Sequence, residues 1–242
     1  MAFAVPPRMN GPKTHLPVAI VIDTSASTKD IRELMNQCAR KLVNSLKREL
    51  AFQKVVELLV VLYNSDYTNI VDFKPLESVR ESDLDIPESK GFTETGRALL
   101  YSLQRLDEKK MEWKQKREKY YQPLLFLLTD GYPDAGRGAP KSVEERVEET
   151  YALAAKQIKE KEKKEKIIFV AAGIQQENGD RANMEKLREL SSHSERILCV
   201  KDVVGSVNSI EKFYNLIYES TNALFSNTPV EEVIEQVWNL GN

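Results

Sequence analysis

Unbroken apolar runs occupy residues 18–22 and 124–128, and each leads into an acid, Asp23 directly and Asp130 through Thr129. Such runs, bounded by turn formers, predict strands buried on both faces of a parallel sheet. Further apolar strands are predicted over 55–63, 167–172 and 196–200, with a shorter one over 70–73. Between them the spacing becomes helical. Ile31, Leu34, Met35, Cys38, Leu42 and Leu46 share one face, as do Val147, Tyr151, Ala154, Ala155 and Ile158. Ile210, Phe213, Tyr214, Ile217 and Leu224 form a third face, and residues 184–190 a short helix. A fourth long helix starts with Ala98, Leu99, Tyr101, Leu103 and Leu106. It continues into the dense Lys, Arg and Glu mixture of residues 107–121 around Trp113, which predicts a solvated helical extension.

The turn Asn64-Ser65-Asp66 is too short for a crossover helix, so the strand over 70–73 is expected to pair antiparallel at an edge. Residues 77–90, polar and acidic with Pro87, predict a long surface loop. The alternation predicts an α/β fold: a doubly wound, mainly parallel six-stranded sheet with one short antiparallel edge strand and helices on both faces. Strand order does not follow from the pattern. Residues 1–12, with Pro6, Pro7, Gly11 and Pro12, predict a flexible arm ahead of a domain over 13–225. Residues 226–242 predict an amphipathic helix. Thr228 stands as N-cap, Pro229 at the first helical position, and Glu231 completes a capping box. Val230, Val233, Ile234, Val237 and Trp238 fall on one face, which is expected to pack on the domain.

Composition narrows the function classes. At 242 residues, 41% hydrophobic and 30% charged, the chain suits one large domain with its own core. A net charge of -2 argues against a broad footprint for nucleic acid. No apolar run approaches the roughly 18 residues of a membrane span. Residues 1–11 lack the apolar stretch of a secretory signal. With only Cys38 and Cys199, buried thiols are expected rather than a disulfide. A cytoplasmic monomer is the resulting expectation.

The chemistry gathers at one rim. Asp23, Ser25 and Ser27 alternate just past a strand, Thr93 sits in a glycine-flanked loop, and Asp130 ends another strand. Taken singly, each has a plain alternative: a helix cap, a loop hydroxyl bonded to its own backbone, or a turn. Together they offer two carboxylates and three hydroxyls, hard oxygens that suit Mg2+, Mn2+ or Ca2+ over zinc or copper.

The set Asp23-x-Ser25-x-Ser27, Thr93 within Gly-Phe-Thr-Glu-Thr-Gly, and Thr129-Asp130-Gly131 resembles the metal-ion-dependent adhesion site of von Willebrand factor A domains. The resemblance covers roughly residues 13–225 and implies a Rossmann-like doubly wound sheet. It also implies that Asp23, Ser25, Ser27, Thr93 and Asp130 are the metal ligands, the aspartates binding directly or through water. Phe92 stands where family members often carry glycine. Asp134, in Gly-Tyr-Pro-Asp, is expected to be a turn residue. The compact form more closely resembles the bacterial cytosolic, tellurium-resistance-associated TerY-like group, implying a bacterial intracellular stress-response or signalling role. The expected function is a metal-dependent protein-binding module, not an enzyme. The ion, Mg2+ foremost, would be completed by an Asp or Glu of a protein partner, within a footprint over 28–30, 89–94 and 132–137. The alternative is a metal-dependent phosphohydrolase at the same rim. Against it stand the lack of an Asp-x-Asp pair and of a P-loop, and the position of His15 and His193 outside every motif.

Overall fold

The computed structural model describes residues 13–130, 133–175, 184–201, 208–226 and 228–239; the expected arm over 1–12 lies outside them. At the centre is β1 (Thr14–Asp23), parallel on one side to β2 (Val56–Tyr63), whose outer neighbour is the antiparallel edge β3 (Tyr67–Pro75). On the other side lie β4 (Lys119–Tyr120), beside only the start of β1, and β5 (Leu124–Thr129). Next come β6 (Ile168–Gln175) and β7 (Ile197–Lys201), both parallel. The order is β3-β2-β1-β5-β6-β7.

The period of two along β1 explains why the helices divide into two layers. Val18, Ile20 and Ile22 enter one core, and Ala19 and Val21 the other. The first core is covered by α1 (Arg32–Arg48), α2 (Leu50–Val55), α6 (Asn208–Ser226) and α7 (Val230–Ile234). The second is covered by α3 (Thr95–Gln115), α4 (Lys141–Glu162) and α5 (Met184–Arg188). This is the doubly wound, mainly parallel sheet expected from the pattern, extended by the two-residue β4. Cys38 is buried on α1 and Cys199 partly buried on β7. Among the described residues no helix is long and apolar enough to cross a membrane.

Three expectations are corrected. The stretch over 107–121 is helical only to Gln115, and it is solvated on one side alone. Within it Trp113 is 1% exposed, stacked on His15 with ring centroids 4.6 Å apart. Trp113 continues the buried line of Leu99, Leu103 and Leu106 at three- and four-residue spacing, so the helix packs along its whole length. His15, the expected bystander, is clasped between Glu57 (Nδ1 to Oε1, 2.6 Å) and Glu118 (Nε2 to Oε2, 3.0 Å). The stretch over 77–90 is not a plain surface loop either. It makes two short 3-10 turns and buries Val79, Leu84 and Ile86 in the first core. Finally, Thr228 and Glu231 form no capping box. α7 begins at Val230 with Pro229 as its cap, and the Glu231 carboxylate is drawn away to Arg196. Val230, Val233 and Ile234 are buried against the domain; the Trp238 side chain lies outside the described residues.

Candidate metal centre

The sheet register alone brings the two acids together. Ile22 lies opposite Leu128 and Asp23 opposite Tyr63, so Thr129 and Asp130 emerge beside Asp23 at the carboxyl edge. Between β1 and β5 the direction of winding reverses, the crevice in which open α/β sheets place their ligands. Past β1 the chain turns tightly. The Ser25 N–H donates to Asp23 Oδ1 at 2.9 Å, and Thr24 N–H and Oγ1 both donate to the Tyr63 carbonyl, at 2.7 and 2.9 Å.

Hydroxyls then bridge the crevice. Ser25 Oγ and Ser27 Oγ are 3.0 Å apart, and Ser27 Oγ donates to Asp130 Oδ1 at 2.9 Å. The Thr93 loop is tied to this turn by Ala26 N–H to the Gly91 carbonyl (3.3 Å) and by Lys90 N–H to the Thr24 carbonyl (3.0 Å). Thr93 is buried, and its backbone pairs in both directions with Asp134, at 3.1 Å each way. Among the described residues its hydroxyl has no hydrogen-bond partner. Asp134 is a turn residue, as expected: its Oδ1 accepts the Gly136 N–H at 2.9 Å. Direct contacts thus connect Asp23, Ser25, Ser27 and Asp130, while Thr93 stands on the loop bonded to their turn. Gly131 and Tyr132 fall outside the described residues.

The sequence reading missed the inward side of the site. Asp23 Oδ2 accepts Thr129 Oγ1 at 2.6 Å and the Tyr63 hydroxyl at 3.3 Å, and Thr95 Oγ1 donates to the Tyr63 oxygen at 3.3 Å. A tyrosine closing the aliphatic run Leu58–Leu62 was the available signal. Behind the Thr93 loop, buried Glu94 pairs with Arg97 at 3.1 Å and with Arg146 of α4. That ties the start of α3 to its neighbour.

Burial, followed by the charge of Asp130, pushes the Asp23 carboxyl from its usual 3.8 up to about 7, against the opposing hydrogen bonds from Thr129 and Ser25. Burial likewise holds the Tyr63 phenol well above its ordinary range, so it stays a donor. The repulsion between two such acids is what a divalent cation would relieve. The donor set is all oxygen: two carboxylates and three hydroxyls, of which the Thr93 hydroxyl has no hydrogen-bond partner among the described residues. It fits a hard cation. Among the described residues no group of three or more His, Cys, Asp or Glu side chains is placed to hold a metal ion.

A pH dependence follows. A folded-state value raised from 3.8 to about 7 makes the metal-free fold lose stability as pH rises through that interval, and no further above it. Cation binding, which needs ionised Asp23, runs the other way and weakens as pH falls below 7. Mn2+ titrations at pH 5.5 and 8, with melts in EDTA at the same two values, are expected to show these opposite trends. Equal affinity at both values would contradict the assigned environment.

The profile of the von Willebrand factor type A domain family matches residues 18–214. No curated protein sequence matches the chain. Among solved structures, PTMP1 of the mussel byssus with a zinc-occupied MIDAS motif aligns at 16% identity and a TM-score of 0.51, covering 86% of this chain and 48% of that one. The PilB minor pilin of Streptococcus sanguinis aligns at 14% and 0.57, covering 97% and 64%. The pilus adhesin SpaC of Lactobacillus rhamnosus GG, in its open conformation, aligns at 12% and 0.60, covering 93% and 30%. The chain thus spans about half the length of PTMP1 and less than two thirds of either pilus protein, and at these identities the likeness concerns the fold.

Proposed function

This chain belongs to the von Willebrand factor type A domain family, and we propose that it is a metal-dependent protein-binding module rather than an enzyme. One observation carries the reading: the hydroxyls of Ser25 and Ser27 link to Asp130 across the crevice beside Asp23, and the Thr93 loop is bonded to the turn that carries them. Asp23, Ser25, Ser27, Thr93 and Asp130 would hold the cation. When bound, a divalent ion supplies a positive point at the rim that an Asp or Glu of a protein partner completes. Two aspartates balance its charge without making the rim anionic, so an incoming carboxylate is still attracted. Mg2+ is the proposed ion, by the hardness of the donors. The zinc in the PTMP1 site makes ion identity a point to measure directly.

The phosphohydrolase alternative has less support. His15 is engaged by Glu57 and Glu118, and neither it nor His193, paired with Glu195, touches the rim acids as a general base would. Reproducible metal-dependent phosphatase turnover, abolished in Asp23→Asn, would overturn the binding-module reading. For binding itself, retention of a partner on the immobilised chain is expected with Mg2+ and lost with EDTA or in Asp23→Ala. Changing the partner's contacting acid to its amide should weaken the complex about as much as chelation does. A complex indifferent to EDTA, or held wholly by residues 228–239, would refute the mechanism. A bacterial cytoplasmic stress-response or signalling setting is the finer proposal, resting on the resemblance of the compact form to the TerY-like group. The neighbours named above are pilus and byssus proteins, so cell fractionation tests the setting separately.

A further inference from the structure

We propose that Tyr63 is a positioning residue for the cation site: its buried hydroxyl holds the Asp23 carboxylate in the orientation that metal binding requires. The inference rests on the metal-centre reading above and names a residue outside the motif. Tyr63 is fully buried at the carboxyl end of β2, directly opposite Asp23 in the parallel register. Donors reach Asp23 from three fixed elements. The Ser25 N–H takes Oδ1, while Thr129 of β5 and Tyr63 of β2 take Oδ2 from the strands on either side of β1. The carboxylate is thereby clamped from both neighbouring strands. Oδ2 is committed inward to Thr129 and Tyr63, while Oδ1 faces the Ser25 turn.

The Tyr63 hydroxyl is itself held: Thr95 Oγ1 donates to its oxygen at 3.3 Å, while it donates to Asp23 Oδ2. Thr95 is the first residue of α3, two positions beyond Thr93. Tyr63 therefore joins one proposed ligand, Asp23, to the base of the loop that carries another. Hydrogen bonds of this kind to a ligating carboxylate fix its rotamer, and removing them typically weakens metal affinity by roughly 10- to 100-fold. With Thr129 still in place at the shorter distance, the lower end is expected here.

The test is Mn2+ affinity of the purified chain, by calorimetry or electron paramagnetic resonance, for wild type, Tyr63→Phe, Tyr63→Leu and Asp130→Ala, with melts of each in EDTA. Tyr63→Phe keeps the ring. It is expected to melt in EDTA close to wild type while its Mn2+ Kd rises about tenfold. Tyr63→Leu is expected to lose affinity and metal-free stability together. Unchanged Mn2+ affinity in Tyr63→Phe, with wild type binding and Asp130→Ala not, would make Tyr63 a packing residue and overturn this proposal while leaving the metal centre standing. Absence of Mn2+ binding by wild type would remove both.

Discussion

Mg2+ or Mn2+ at a hundred times its Kd is expected to raise the melting temperature by about 5–11 °C over the EDTA-treated protein. A ligand held only by the folded state adds RT ln(1 + [L]/Kd), ~2.7 kcal/mol at that excess. A domain of this size gains about 2–4 °C per kcal/mol. Asp130→Ala is expected to abolish the shift entirely, since it removes one of the two carboxylates. It should nevertheless fold. Asp130 is 7% exposed just past the end of β5, outside both apolar cores, and the Ser27 that donates to it is exposed. Its charge is also one of the two causes that push Asp23 up, so its removal eases the metal-free state. Differential scanning calorimetry with and without chelator measures all four conditions. Equal melting temperatures for wild type with and without millimolar ion would count against an occupied site. Failure of Asp130→Ala to fold would make the residue structural.

Gly96→Ala is expected to lower the melting temperature by several degrees, and Gly96→Val to prevent a stable fold. A Cβ placed on Gly96 would lie 2.3 Å from the Tyr151 nitrogen, 2.4 Å from the Thr150 carbonyl carbon and 2.7 Å from its oxygen. All three are backbone atoms of α4, which cannot swing aside as a side-chain tip would. Alanine has the better helix propensity by about 1 kcal/mol, and that gain opposes the clash. Overpacking against fixed atoms costs about 1–3 kcal/mol, and here it requires α3 and α4 to separate, so the clash wins. The separation would also strain the Glu94 pairs with Arg97 and Arg146 and displace Thr93, which precedes them. Cation affinity is therefore expected to fall along with stability. A wild-type melting temperature for Gly96→Ala would mean that the helices do not approach this closely.

Asp23, Ser25, Ser27, Thr93 and Asp130 were all legible in the chain because each stands in a local pattern: an apolar run that stops at an acid, hydroxyls at alternate positions, a threonine between glycines. The two-layer fold was legible for the same reason, since periods of 2 and 3.6 involve neighbours a few residues apart. Patterns of that range do not say which strand lies beside which. Strand order, and hence the meeting of Asp23 with Asp130, 107 positions on, came from pairing across the sheet. So did the Tyr63 and Thr129 contacts on Asp23, which span 40 and 106 positions. The misjudged stretches share a cause: Trp113 among lysines, and Leu84 and Ile86 among acids, sit in sequences whose average polarity signals exposure. Burial of a single side chain depends on what packs over it. For Trp113 that is His15 at the far end of β1, and for Gly96 it is the backbone of a helix more than fifty residues away. Local spacing dictates what an element is; only the packed chain supplies the neighbours that give its polar residues their roles.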